Sequence, residues 1–495
     1  MTAPATTQYE VVIGIEVHAQ LDTKSKMFCS CSADYHNAPP NTHVCPICLG
    51  MPGVLPVINR QAVEYTIMTG LALNCTIPDR AKFDRKNYPY PDLVKGSQIS
   101  QYDLPLCKDG WLEVELDDGG TKRIGVTRVH LEEDTARNLH RSNEAGEAYT
   151  LIDVNRSGTA LMEIVSEPDV RSGQEARLYL QKLQQILRYL GVSRANMEEG
   201  NMRCEPNVSL RPAGREEFGA KVELKNLNSF RAVELGIEYE IGRQRKLLDA
   251  GERVAQETRG WRDEEGKTVS QRSKELAEDY RYFPEPDLPP LSISSSYVDE
   301  LRARLPELPE AKRKRFMEQY GLSAYEANLL TQTQARAGYY EEAVGAVASD
   351  GDLLLRRSKA AANWMLGDFA RLLNASGIEI TASKVRPEQL HELLVLIDEG
   401  VVSTTGAKDV FETMFASGKP PRQIVDEQGL TQIGAADEIQ PVVEQVIAKN
   451  PKPVEDFRAG KDEAIKFLVG QVMRETRGRA KPDLVHELLR RQLAK

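Results

Sequence analysis

Gly14-Ile15-Glu16-Val17-His18 sets a carboxylate and an imidazole two positions apart inside an apolar, β-branched run. On a strand both project from one face, about 6.5–7 Å apart, a spacing that lets two side chains reach toward one cation or phosphate. Three more strand-like runs carry acids: Val129-His130-Leu131-Glu132-Glu133-Asp134, Leu161-Met162-Glu163-Ile164-Val165 and Arg203-Cys204-Glu205-Pro206-Asn207. Any one of these reads equally as the solvated face of an antiparallel sheet, because Glu is rarely buried unless paired. Together they point to convergence, and crowded carboxylates need something positive between them. Hard oxygen donors suit Mg²⁺, held by one or two carboxylates plus substrate phosphates. The pattern predicts a phosphoryl-transfer site.

A second constellation is made of sulfur. Four of the seven cysteines cluster as Cys29-Ser30-Cys31 and Cys45-Pro46-Ile47-Cys48. The second pair is a knuckle that presents two thiolates to one tetrahedral Zn²⁺, and the first pair completes a four-cysteine site in a loop over 29–48. Four thiolates leave no open coordination position, so this zinc is structural. The alternatives are buried free thiols or a redox pair. His36 and His43 fall inside the loop as surface residues, either able to replace a thiolate. Cys75, Cys107 and Cys204 read as small core residues.

The elements that must position these groups follow from periodicity and caps. Strands are expected over 9–21, 111–116, 122–131, 202–211 and 220–225, and helices over 60–74, 174–190 (closed by Gly191) and 230–249. Residues 149–154 and 160–165 are expected to form a hairpin across Asn155-Arg156-Ser157-Gly158, and 256–261 another with 268–273. The Pro-rich stretch Tyr282 to Pro290 interrupts regular structure, and beyond about 297 helical periodicity takes over. Gly, Pro and Ser breaks suggest a further boundary near 405–415. The chain of 495 residues should therefore split into domains over 1–295, 296–408 and 409–495. A formal charge of −10 excludes nonspecific coating of nucleic acid, although Arg474 to Lys495 carries seven Lys or Arg against three Asp or Glu. Arg474, Arg477, Arg479 and Lys481 crowd Gly478. They read either as a phosphate-binding patch or as a solvated helix end. With no signal-peptide pattern over Met1 to Glu10 and no apolar run that spans a bilayer, a cytoplasmic protein without membrane contact is expected.

No Walker loop and no dinucleotide fingerprint occur. Ser292 to Ser296 lacks the glycines around an amidase nucleophile, and residue 2 is Thr rather than the exposed Cys of a glutaminase. Any ammonia must come from another polypeptide. Against that background Gly14 to His18, Lys82-Phe83-Asp84-Arg85-Lys86-Asn87-Tyr88, His130 to Asp134, Asn155-Arg156, Glu163 to Asp169, Lys225-Asn226-Leu227-Asn228-Ser229, Asp279 to Asp287 and Phe467 to Met473 resemble the GatB family of the aspartyl/glutamyl-tRNA amidotransferases. The likeness covers nearly the whole chain.

The resemblance implies an α+β chain: an amino-terminal antiparallel-sheet cradle, glutamine-synthetase-like, then an all-α helical domain and a YqeY-like α-helical tail. It implies ATP-dependent phosphorylation of the side-chain carboxylate of Glu-tRNA(Gln) or Asp-tRNA(Asn), then displacement of phosphate by ammonia. Glu16, His18, Glu163 and Glu205 are implied as Mg²⁺ ligands, with Glu132 beside them. Glu133 and Lys86 are implied as a charge pair at the mouth of an ammonia channel. Arg203, Glu205 and Asn207 are assigned to nucleotide contact. Where many relatives carry Asp this chain has Glu205, one methylene longer. The implied partners are an amidase subunit (GatA), a small subunit (GatC) in a heterotrimer, and misacylated tRNA held by the helical and tail domains. Two other classes remain open: a non-catalytic tRNA-binding scaffold, and a stand-alone ATP-dependent ligase for a small acid. A scaffold has no need of the acids, and a small-acid ligase has no evident use for the long helical part.

Overall fold

The computed structural model describes residues 8–117, 119–273, 280–345, 351–433, 436–476 and 478–493. Residues 1–7, Asp279, Arg477 and Lys495, all named above, lie outside them. The fold is α+β, in two compact units, Met1–Leu308 and Pro309–Lys495.

The first unit is built on β1 (Tyr9–Gln20), α1 (Arg60–Ala72), β2 (Arg80–Ala81), β3 (Asp84–Asn87), β4 (Ser97–Ser100), β5 (Cys107–Glu115), β6 (Thr121–Glu133), β7 (Arg137–Ser142), β8 (Ala148–Asp153), β9 (Ala160–Ser166), α2 (Gly173–Leu190), β10 (Met202–Pro212), β11 (Val222–Lys225), α3 (Phe230–Asp249), β12 (Glu257–Arg262), β13 (Lys267–Ser273), β14 (Phe283–Pro284), β15 (Leu291–Ser292) and α4 (Ser295–Ala303). Eight strands form one sheet in the order β13-β12-β11-β10-β1-β9-β6-β5. Its two faces follow from alternation along each strand. Ile13, Ile15, Val17, Ala19, Val129, Leu131, Met162, Ile164, Cys204 and Val208 turn to one side and join the apolar core. There α1 packs on β5 and β6, α2 on β5 and α3 on β10. Local chemistry sets the helix ends: Ser172 and Ser229 side chains cap α2 and α3, and Gly191 closes α2 in the left-handed region. The polar residues are left on the opposite face.

Three expectations change. The sheet is antiparallel except between β11 and β12, which run parallel, because α3 supplies the long crossover that a parallel pair requires. Strands β8 and β9 do not form a hairpin. β8 pairs with β7 as an exposed ribbon, whereas β9, buried along most of its length, inserts between β1 and β6. The loop between them is occupied by other bonds: Asn155 Oδ1 accepts from His43 N at 2.8 Å, and Gly158 O accepts from Met27 N at 2.7 Å. Finally, the Pro-rich stretch is bound into the first unit, since β14 pairs with β3 and β15 with β2. Ser294 caps α4, which packs on α1 and buries Leu301. The first unit therefore runs on to Leu308 rather than stopping at 295.

In the second unit all the regular elements among the described residues are helical except one isolated bridge, Ile433 to Ala480. It holds two apolar clusters, one from Phe316 to Val425 and one from Ile439 to Leu493. A continuous helix, Thr404–Ser417, crosses the expected break near 405–415 and buries Val410, Phe411 and Met414, so the change of core falls after Val425. No helix among the described residues is long and apolar enough to cross a membrane.

Candidate active site

β1 lies between β10 and β9, so each residue on its polar face meets a partner on both sides. Glu16 is opposite Glu205 and Val165, and Val165 is opposite Arg128. In the next row His18 is opposite Arg203 and Glu163, and Glu163 is opposite His130. With strands about 4.8 Å apart, these rows gather acids from three strands, and Glu132 on β6 follows in the next row. His18 Nε2 is 3.5 Å from both Glu132 Oε1 and Glu163 Oε2, and His130 Nε2 is 3.2 Å from Glu163 Oε2. Asn207 Nδ2 donates to Glu16 Oε1 at 3.0 Å, and Lys225 Nζ is 2.9 Å from Glu205 Oε2. The predicted quartet of Glu16, His18, Glu163 and Glu205 is divided between two groups. His18 stands with Glu132 and Glu163, and Glu16 with Glu205 and Glu223, the donor atoms of each group within 4.8 Å of one another.

Mutual repulsion and burial shape the charges. Burial pushes the Glu16 carboxyl up, and the Glu163 and Glu205 charges push it further. Glu132 is raised by burial and by Glu163. Burial also works on Glu163, but His130 and His18 outweigh it and hold the carboxyl well below the usual range. Conversely, burial alone would lower His18, while Glu163, Glu132 and Glu205 raise it to about 9. Glu205 is lowered against burial by Lys225 and His18.

Lys86 and Glu133 do not pair. Adjacent residues on a strand face opposite ways, so Glu132 turns to the polar face and Glu133 away from it, where Lys95 pairs with its carboxylate and Ile99 N donates to Oε1 at 3.0 Å. Lys86, on β3, sits 4.8 Å above the Tyr280 ring. Burial alone would lower its pKa, but Tyr282, Glu132 and Glu163 raise it.

The four cysteines form a separate cluster, with all four Sγ atoms within 4.8 Å of one another and Cys45 and Cys48 3.9 Å apart. A tetrahedron with Zn–S of about 2.3 Å has an edge of about 3.8 Å, so the sulfurs already stand near metal-binding separations. His36 is exposed and stacks on Tyr35, and His43 is outside the sulfur group. Cys75, Cys107 and Cys204 are buried.

The model of the GatB/GatE catalytic domain matches residues 11–299, and that of the GatB domain matches residues 339–493. The B subunit of the aspartyl/glutamyl-tRNA(Asn/Gln) amidotransferase of Carboxydothermus hydrogenoformans is 54% identical over 488 residues, 99% of each chain. That of Dehalococcoides mccartyi strain CBDB1 is 55% identical over 489 residues, 98% of this chain and 99% of that one. The chain belongs to the GatB family. The corresponding protein of Caldicellulosiruptor saccharolyticus adds 52% identity over 491 residues, 99% of this chain and all of that one.

As a GatB-family chain it is an enzyme subunit of the amidotransferase class, and its polar face holds residues that motif reading passed over. Glu223 is one, on a four-residue strand. Its carboxylate also accepts from Thr258 Oγ1 at 2.7 Å. The signal for it was the two-residue spacing of Glu223 and Lys225. Arg203 turns to a brace: its guanidinium reaches Asp134 Oδ1 at 3.0 Å, where Arg156 also lies at 3.7 Å, and Gln20 donates to Asp134 Oδ2 at 2.8 Å. Gln20 also donates to Tyr35 Oη at 2.9 Å, tying the cysteine lobe to β1. Asp134→Ala should destabilise the first unit by about 3–5 kcal/mol, because it strands partly buried guanidinium charge. Burial would raise Asp134, but Arg203 and Arg156 hold it below its ordinary 3.8. Its contribution is thus complete above that value and fades as pH falls below it. Denaturant titrations between neutral and acid pH would show a flatter acid slope in the variant, and equal slopes would refute the role.

Proposed function

We propose that this chain catalyses ATP-dependent amidation of misacylated Glu-tRNA(Gln), Asp-tRNA(Asn) or both. The reading is carried by one observation: two groups of carboxylates, His18/Glu132/Glu163 and Glu16/Glu205/Glu223, side by side on the polar face of one sheet. The donor set is of hard oxygens with one imidazole, and its net negative charge fits Mg²⁺. Those residues would hold it. When bound, Mg²⁺ neutralises phosphate charge during phosphoryl transfer. The substrate's side-chain carboxylate oxygen attacks the γ-phosphorus of ATP, and the bond from phosphorus to the ADP oxygen breaks. Ammonia nitrogen then bonds to the acyl carbon, the carbon–oxygen bond to phosphate breaks, and inorganic phosphate leaves. The surplus ammonia proton passes to a base.

Ammonia would reach the site from an amidase subunit (GatA), with a small subunit (GatC) completing a heterotrimer in the cytoplasm. That the relatives are named as one lettered subunit of an amidotransferase supports a multi-subunit assembly. We further read the sheet unit as a glutamine-synthetase-like cradle, followed by a helical domain and a YqeY-like tail that meet tRNA. The two apolar clusters of the second unit support that division in kind, though their cores meet after Val425. We also read the four-cysteine cluster as a structural zinc site. Arg479 spends its guanidinium on Thr476 O and Gly429 O, which leaves Arg474 and Lys481 of the basic cluster for phosphate contact.

The test is amide formation by the assembled complex with ammonium as nitrogen donor, on each charged tRNA separately. Amide should appear only with ATP, one ADP per amide, and stimulation by one tRNA alone would name the substrate. Amide formation without ATP would sink the reading. A second expectation concerns protons. Because Glu163, Glu132 and Glu205 push His18 up to about 9, and a ligand imidazole must be neutral, Mg²⁺ or Mn²⁺ should release a proton on binding and bind more tightly as pH rises toward that value. Calorimetry in buffers of different ionisation heat would read it, and an absence of proton release removes His18 from the ligand set.

A further inference from the structure

Lys26 is fully buried, at 0% exposure. Lysine is almost never so placed unless paired, and a buried ammonium without a counter-charge is costly. Its Nζ donates to His43 O at 2.8 Å and to Val154 O at 3.5 Å, and Cys48 Sγ lies at 3.7 Å. Among the described residues no carboxylate forms an ion pair with it. Of the three groups that Nζ contacts, Cys48 Sγ alone can carry negative charge. Four thiols carry no charge, and two disulfides carry none, whereas a divalent ion bound by four thiolates leaves a dianion. We propose that Lys26 is the built-in counter-cation of a metal–tetrathiolate centre at Cys29, Cys31, Cys45 and Cys48. Its burial against Cys48 favours a charged cluster over four neutral thiols or two disulfides. The backbone supports the placement, since Lys26 N donates to Cys31 O at 2.9 Å and Met27 N to Gly158 O at 2.7 Å. The centre and its cation thus brace the loop that leads into β9, the strand of Glu163.

The test uses the full chain loaded with zinc. Lys26→Met keeps the methylene packing and removes the charge, and should weaken zinc by about 10–100-fold in competition with a chromogenic chelator, the range seen for residues that support metal ligands. Unchanged affinity would overturn the proposal. Should the variant fail to fold, amine labelling of the wild-type chain decides: Lys26 should resist acylation with zinc bound and become labelled after chelation, and labelling independent of zinc refutes the idea.

A separate observation concerns the acid face. Arg128 shares a row with Val165, Glu16 and Glu205, and it lies on the same face as His130 and Glu132. Its Nε is shielded from solvent without a hydrogen-bond partner, and its side chain forms no ion pair among the described residues. A guanidinium without an ion pair, on the sheet face that also carries the two acid groups, suits a planar, oxygen-rich anion bound by two parallel hydrogen bonds. Resting on the function proposed above, the geometry points to Arg128 as a holder of the transferred phosphoryl group. Arg128→Ala and Arg128→Lys should lower kcat/KM for ATP by about 10²–10³-fold in the assembled complex with ammonium. Free guanidinium should restore part of the Ala variant's activity and none of the Lys variant's. A kcat/KM for ATP within twofold of wild type overturns this inference alone, whereas wild-type amide formation without ATP overturns the function on which it rests.

Discussion

Glu163→Gln should reduce ammonium-dependent amide formation by about 10²–10³-fold, with the chain still folded and assembled. Glu163 is central on three counts. It lies on β9 between β1 and β6, it meets two imidazoles at 3.5 and 3.2 Å, and it stays ionised where Glu16 and Glu132 are pushed toward protonation. Gln keeps the volume and one acceptor oxygen but removes the charge that any cation at His18 and Glu132 would feel most strongly. The loss should appear in kcat with little change in the KM for aminoacyl-tRNA, because the proposed function gives this interaction to phosphoryl transfer rather than to tRNA docking. His18→Ala in parallel should act in the same direction. If both variants keep full ATP-dependent activity, these residues are not the site.

The second large effect should come from sulfur. Cys48→Ser removes the one buried member of the four-cysteine cluster, so zinc content should fall from one per chain to none. Structural zinc binding is worth on the order of 10 kcal/mol in domains that depend on it for folding. Here the sheet has its own apolar core, so the loss should unfold the lobe over 29–48 and leave the sheet intact. Hydrogen exchange resolved by peptide would show fast exchange over 29–48 with β1 and β9 still protected. The lobe also supplies Ser32, Asp34 and Tyr35 to a cavity of about 630 Å³ lined on its other side by Gln20 and Asn201, which should open as the lobe unfolds. Retention of one zinc per chain would show that the cluster is not the metal site.

Much of the polar face was legible because alternation is local. Glu16 and His18, two apart on one strand, share a face whatever the strand's neighbours, and Ser172, Ser229 and Gly191 announce helix ends by their own chemistry. Elsewhere local signals misled. Asn155 to Gly158 does turn, with Ser157 N donating to Val154 O at 3.0 Å, but it is also tied to the cysteine lobe through Asn155 and His43, and burial sends β9 into the middle of the sheet. Glu132 and Glu133 are indistinguishable as letters. One residue of register separates a carboxylate facing His18 from one held by Lys95.

By itself the sequence determined the two-faced strands, the helix boundaries of α2 and α3, the spacing of the cysteines and the family. Each is written in neighbouring residues or in long motifs. The tertiary structure alone decided that Glu163 stands between two histidines, that Glu223 completes the group of Glu16 and Glu205, and that Lys86 sits over the Tyr280 ring. Those relations join residues far apart in the chain. They depend on which strands lie side by side, and strand order is settled by burying the whole apolar face at once rather than by any local preference.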